Sequence, residues 1–172
     1  MSISPPKVKL ISGVLYPEGE EWFTWTLREL EALWGGCEDV SQPEPFTKTD
    51  YYHNIAPRLL RRFVCFKGMA SAGELPDWKL AAVGVEGRSR NPRIVNIDPG
   101  YVDGARLVLA STKDHAHRVY LRDGIFAEVT MRFRFGKWTP FDYTFPDFAD
   151  GLYDKFLSAA RGSWIEERRR AG

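Results

Sequence analysis

The chain has only two cysteines, Cys37 and Cys65, far apart and with neither a C-x-x-C pair nor a histidine cluster beside them. That argues against a disulfide framework and leaves a reduced, buried pair as the expectation. No apolar run reaches the length of a membrane span, and MSISPPKVKL has no charged start leading into a long apolar stretch. A cytoplasmic protein with no membrane partner is expected. An excess of one charge is missing too: 24 Lys and Arg stand against 23 Asp and Glu, a net +1. Nucleic-acid-binding domains recognised by charge are markedly basic, so a strongly electrostatic DNA binder is argued against, while a local basic patch stays open. Signatures of the G-x-S-x-G, G-x-G-x-x-G and H-E-x-x-H types are absent as well. No pattern names a cofactor. With three histidines in all, a three-histidine zinc centre needs His53, His115 and His117 together; no metal site is expected.

What is present fills one domain, the natural reading of 172 residues. Val8 to Tyr16 (VKLISGVLY) reads as a buried strand closed by Pro17 and Gly19. In Glu20 to Trp34, Phe23, Leu27, Leu30 and Trp34 recur on one helical face, Glu20 and Glu21 suit its N-terminus, and Gly35-Gly36 stops it. Cys37 to Pro57 is polar and irregular. Arg61 to Met69 reads as a strand, and Leu75 to Glu86 as a helix with Pro76 in its first turn. Arg93 to Ile97 is a short strand entering a turn at Asp98-Pro99-Gly100, and Ala105 to Ala110 another strand. Arg132 to Phe135, then Trp138 to Phe145, continue a meander that Pro146 ends. Asp150 to Arg168 is the last helix, with Tyr153, Phe156, Leu157, Ala160 and Trp164 on one face. Early alternation of helix and strand followed by hairpins predicts an α+β fold: a single domain with a mixed, largely antiparallel sheet packed by about three helices.

One hairpin can be read in register. A two-residue Asp123-Gly124 turn pairs Arg122 with Ile125 and mixes the faces. A three-residue loop, Arg122 to Gly124, pairs Leu121 with Ile125 and Val119 with Ala127, keeping one face apolar. It sets Arg118 opposite Glu128 and Tyr120 opposite Phe126, and puts His117 on the apolar face with Val119 and Leu121. The three-residue loop is the expectation.

Several segments resemble the DUF4416 family, a bacterial family of unknown function: VKLISGVLY, FTKTDYY (Phe46 to Tyr52), RRFVCF (Arg61 to Phe66), NIDPGY (Asn96 to Tyr101), LVLASTKDHAHRVYL (Leu107 to Leu121), GIFAEVT (Gly124 to Thr130) and YTFPDF (Tyr143 to Phe148). Their order and spacing extend the resemblance over nearly the whole chain. It implies one DUF4416-like domain over 1–172, with 1–6 and 169–172 as flexible ends. Some relatives carry a GTP-binding label, but this chain has no G-x-x-x-x-G-K-[ST] loop, and Gly136-Lys137 has no glycine five residues ahead of it. The family pattern has Tyr where Phe145 and Phe148 stand here.

Polar groups concentrate between Asn96 and Thr130. Asp98 in a Pro-Gly turn is an ordinary turn residue or, at a strand end, a general base, with Tyr101 donating to a ligand. His117 is a satisfied core histidine or a base. Arg118 and Glu128 form a structural pair, or Arg118 and Lys113 hold a phosphate or carboxylate while Glu128 orients Arg118 or acts as base. In the long TDYYH loop, Asp50 and Tyr51 are candidate ligand contacts. The expected site is therefore Asp98, Glu128 and His117 for chemistry, with Asp50, Tyr51, Tyr101, Lys113 and Arg118 for binding. Its partner is a small phosphate-bearing anion such as a nucleotide, bound and in a further step turned over. Two alternatives stand beside this. Arg58, Arg61, Arg62 and Lys67, with Arg132, Arg134 and Lys137, alternate with aromatics as in RNA-binding sheets. The aromatic last helix with Trp164 also suits a non-catalytic assembly surface.

Overall fold

The computed structural model describes residues 3–47 and 58–172. In chain order the elements are β1 (Lys7–Pro17), α1 (Glu21–Trp34), β2 (Cys37–Val40), β3 (Glu44–Pro45), β4 (Leu59–Phe66), β5 (Ala70–Ser71), a 3-10 turn (Ala72–Glu74), α2 (Leu75–Ser89), β6 (Asn96–Val102), β7 (Arg106–Ser111), β8 (Arg118–Arg122), β9 (Ile125–Arg134), β10 (Lys137–Pro140), α3 (Pro146–Ala149) and α4 (Asp154–Ala171). Every strand pairing among the described residues is antiparallel. The sheet runs β10-β9-β7-β6-β1-β4-β2, with β3 on β4, β5 on β1 and β8 on β9. The α+β class expected from the residue pattern holds.

Both faces of this sheet are covered. Strand side chains alternate between faces, and two cores follow from β1 alone. Val8, Leu10, Val14 and Tyr16 meet Phe23 and Leu30 of α1 and Trp78, Ala82 and Val85 of α2. Ile11 lies on the other side with Phe63, Phe148 of α3 and Phe156, Leu157 and Ala160 of α4. This explains why VKLISGVLY has apolar residues at both odd and even positions, as in Leu10-Ile11 and Val14-Leu15, where a one-sided antiparallel strand would alternate. Lys9 is the exception inside the run. It is fully buried, and its ammonium donates to Glu38 Oε1 at 2.8 Å and to the Gly68 carbonyl at 2.9 Å. Both cysteines are free thiols.

Several boundaries differ from the sequence expectation. The helix expected from Asp150 begins at Asp154, because α3 ends at Ala149 and Gly151 turns the chain at φ 83°. Pro146 opens α3 rather than merely closing a strand, and β10 stops at Pro140. α2 runs on to Ser89. The hairpin has the two-residue turn, not the three-residue loop: Asp123 and Gly124 both have positive φ, at 54° and 81°, and Arg122 pairs with Ile125. Leu121 is then an extra residue in β8, a bulge that restores the pairings Arg118–Glu128, Val119–Ala127 and Tyr120–Phe126. The residue pattern places these three pairs correctly, but not the position where the odd residue is absorbed.

The largest departure is at Asp98-Pro99-Gly100, which is strand interior rather than turn. β6 pairs with β1 from Asn96 to Val102, but with β7 only from Gly100 onward. Proline has no N–H to give a neighbouring strand. At Pro99 the ladder to β7 stops, and the ends of β7, Ala110 and Ser111, continue paired to β9 alone. The backbone of Ile97, which β7 would otherwise hold, is taken by α2 side chains. Its N–H donates to Glu86 Oε2 at 2.7 Å, and its carbonyl accepts from Lys79 Nζ at 2.8 Å. On the other side of the split, Gly100 lets β7 close in tightly: a Cβ there would lie 2.1 Å from the Val108 carbonyl oxygen. The dipeptide thus joins the strands on one side and parts them on the other.

Candidate functional site

The parting of β6 and β7 opens a cavity of about 460 Å³. Walls come from α2, from the unpaired halves of β6 and β7, from the segment leading into β8, and from the aromatic stretch before α3. Five of the expected site residues line it: Asp98, Lys113, His117, Arg118 and Glu128. Tyr101 does not. Its ring lies on the opposite face of β6, packed against the core under α2, and burial followed by the nearby Asp103 charge pushes its hydroxyl pKa up. Asp50 and Tyr51 fall outside the described residues.

At the β6 end, Asp98 is half-buried between two cations. Arg61 donates to its Oδ2 at 3.2 Å and Asn96 Nδ2 to the same oxygen at 3.0 Å, while Lys79 Nζ lies 3.5 Å from Oδ1. Arg61 is itself buried, donating to Asp147 at 2.8 Å and packed against Phe46, Phe63 and Phe148. Burial acting alone would push the Asp98 carboxyl up, but Lys79, Arg61 and the Asn96 hydrogen bond outweigh it and hold the group below its ordinary value. A carboxylate so held is a weak base, and its local task is to neutralise and aim Arg61 and Lys79. Neither cation was among the expected site residues. Arg61 stands in an alternating strand and reads there as a solvated outward residue, whereas it is only 6% exposed.

At the β8 end, Glu128 is the hub. Its Oε1 accepts from Arg118 Nε at 3.1 Å and meets His117 Nε2 at 2.8 Å, and its Oε2 accepts from the Thr130 hydroxyl at 2.7 Å. A carboxylate only accepts, so in the neutral ring Nε2 carries the hydrogen and Nδ1 the lone pair. The His117 ring stacks on Tyr143, 4.1 Å between centroids and 14° from parallel, and Tyr143 donates its hydroxyl to the Val129 carbonyl. Burial, then the Glu128 charge, pushes the Tyr143 hydroxyl pKa up. Arg118 does not bind Glu128 through two parallel bonds; its Nη1 goes to Ser111 Oγ at 3.0 Å and the Lys113 carbonyl at 3.2 Å. The core position expected for His117 is corrected: the residue precedes β8, and Val119 and Leu121, its expected neighbours in the core, are 68% and 40% exposed.

The two basic stretches do not form a stacking surface. Phe63 and Phe66 are core residues, Trp138 is 7% exposed and Phe133 packs on the core under α4, which leaves Phe135 as the outward aromatic beside Arg134. Trp164 is half-buried, its indole donating to the Lys7 carbonyl at 2.9 Å and its ring lying over Gly104. Among the described residues no group of His, Cys, Asp and Glu is placed to hold a metal ion, and no helix is long and apolar enough to cross a membrane.

A family model described as a domain of unknown function, DUF4416, matches residues 6–164. The chain belongs to the DUF4416 family. No curated protein and no solved structure matches it. The match to DUF4416 takes in every described residue of the cavity, from Phe46 to Phe148. Phe145 and Phe148, the two positions at which the resemblance implied Tyr, both line the cavity.

Proposed function

We propose that the cavity binds a small phosphate-bearing anion. The observation that carries this reading is the grouping of Lys113, His115, His117 and Arg118 at the end of the cavity where Glu128 is the single lining carboxylate. Over the whole lining, five Lys and Arg side chains stand against three carboxylates. An anion entering there meets a guanidinium and an ammonium, the groups that recognise phosphate and carboxylate oxygens. The volume lies within the roughly 300–1,000 Å³ typical of small-molecule sites. A nucleotide or a phosphorylated metabolite fits this description.

Should the bound ligand be turned over, His117 is the group equipped for proton transfer. Glu128 orients its ring through Nε2, as the carboxylate of an acid–base dyad does, and Nδ1 keeps the lone pair. In that arrangement Glu128 is the positioning residue and Asp98 holds the cations at the far end.

The test is a thermal-shift series of the purified chain with nucleotides, phosphorylated sugars and inorganic phosphate. A ligand at a hundredfold excess over its Kd stabilises by about 2.7 kcal/mol. The shift should fall sharply in Lys113→Gln and in Arg118→Gln. A shift unchanged in both variants, or none with any phosphate compound, removes the proposal.

A further inference from the structure

We infer that the ligand is bipartite: a phosphomonoester whose body carries hydroxyl groups, with its phosphate at Lys113 and Arg118 and a hydroxyl donating to Asp98. This rests on the anion reading above and adds the far end of the molecule.

The register fixes the geometry. Gly100 pairs with Leu109, Leu109 with Glu128, and Glu128 with Arg118, so these four residues form one row across β6, β7, β9 and β8. Asp98 lies two residues before Gly100 on the same face of β6, since side chains alternate. The Asp98 pole and the Glu128–Arg118 pole are therefore two to three strand spacings apart and two residues offset along the strands, roughly 12–16 Å between backbone positions. Side chains reaching inward from both poles shorten that span to the length of a phosphorylated pentose or a mononucleotide. Between the poles the row holds Leu109, and Phe145 and Phe148 add apolar surface to the lining, Phe148 at the Arg61 end.

The exposed atoms decide what each pole accepts. Arg61 and Lys79 are sealed, with side chains 8% and 7% exposed, while Asp98 keeps 22%. A ligand at that end therefore meets the carboxylate and not the cations behind it. Asp98 Oδ2 already accepts from Arg61 and Asn96, whereas Oδ1 has only the 3.5 Å approach of Lys79, at the outer limit of a hydrogen bond. Oδ1 keeps accepting capacity, and a carboxylate cannot donate. The ligand must bring an O–H or N–H. Arg61 and Lys79 would repel an ammonium, so a neutral hydroxyl is the better partner. At the opposite pole Lys113 is exposed and the Arg118 side chain keeps 11%, so Lys113 leads and Arg118 assists in selecting an anion. No compound with a phosphate at both ends suits this arrangement, because its second phosphate would face Asp98.

Titration calorimetry on the full chain tests this with two probes, ribose 5-phosphate and a nucleoside 5′-monophosphate. Each is compared with its dephosphorylated form and with the form lacking one ring hydroxyl. We expect loss of phosphate to weaken binding at least tenfold, and loss of a hydroxyl to weaken it about tenfold. The hydroxyl effect should vanish in Asp98→Ala and the phosphate effect should shrink in Lys113→Gln. The tighter of the two probes tells a sugar phosphate from a nucleotide. Phosphate-dependent binding that ignores every hydroxyl removal overturns the bipartite assignment and leaves the anion site standing. Absence of binding by both phosphates overturns both. Asp98→Ala strips a counter-charge from two buried cations and can unfold the chain, so the comparison of hydroxylated and deoxy probes on the unaltered protein decides by itself.

Discussion

Single residues set the position of the cavity, and Gly100 is the most constrained of them. A methyl group there would lie 2.1 Å from the Val108 carbonyl and 3.0 Å from the Leu109 backbone. Backbone cannot yield as a side-chain tip does. Gly100→Ala should therefore cost roughly 1–3 kcal/mol or more, read from the urea midpoint at unchanged m-value. A variant as stable as the parent would mean that β6 and β7 separate freely. Asp98 makes a different prediction. Its folded carboxyl titrates below the ordinary value. The stability it contributes is therefore complete above the ordinary carboxylate range and is lost as pH falls through the lower folded value. Asp98→Asn should lower stability at neutral pH and lose less than the parent below pH of about 4. Parallel stability–pH curves for the two proteins would contradict this. Neither role was legible in the residues. Pro-Gly after Asp has the chemistry of a turn, yet the missing N–H of a proline suits the last paired position of a strand equally well. Nothing local separates these uses; what separates them is that β1 continues past Pro99 as a partner. Arg61 was equally opaque, because the carboxylates that justify its burial, Asp98 and Asp147, lie 37 and 86 residues away.

Among elements, the β8–β9 hairpin was the most readable. Alternation around Asp123-Gly124 suffices to place Arg118 opposite Glu128, since any slip by one residue exchanges the faces. The turn and the three-residue loop differ only in where the odd residue goes, and both preserve that pair. The bulge at Leu121 can thus be removed. Deleting Leu121 should leave the Arg118–Glu128 pairing intact, change stability by no more than about 1 kcal/mol, and preserve phosphate-dependent thermal shift; an exposed site contributes little to packing. Loss of the Arg118–Glu128 contact in a crystal structure of the deletion would show that the bulge itself sets the register. α2 was readable as a helix but not as a wall of the site. Lys79 and Glu86 are two polar positions in an otherwise apolar stretch, and their reason is the backbone of Ile97, not solvent.

At the scale of the molecule, the order of the strands predicts where the fold opens last. β1 is paired along both edges and covered on both faces, whereas β8 is paired on one edge and carries exposed Val119, Tyr120 and Leu121. Native-state amide exchange should give the slowest amides in β1 and its neighbours β4 and β6, and distinctly faster ones in β8. Protection of β8 equal to that of β1 would require a covering surface that the described residues do not provide. The α+β class followed from composition and pattern because alternating helices and hairpins admit few layer arrangements. Coverage of both faces could have been read from the adjacent apolar pairs of β1, Leu10-Ile11 and Val14-Leu15.

The interruption at Pro99 also bears on the energetics of any occupant. Much of the cavity wall is sheet and helix, with side chains already held by ion pairs and stacked rings before anything enters. An occupant therefore has little ordering entropy to overcome at those surfaces, and its affinity reflects contacts made rather than disorder removed. Replacing side chains on β6, β7 and β9 is therefore the direct way to reshape the cavity, since Asn96, Asp98, Leu109 and Glu128 on those strands line it.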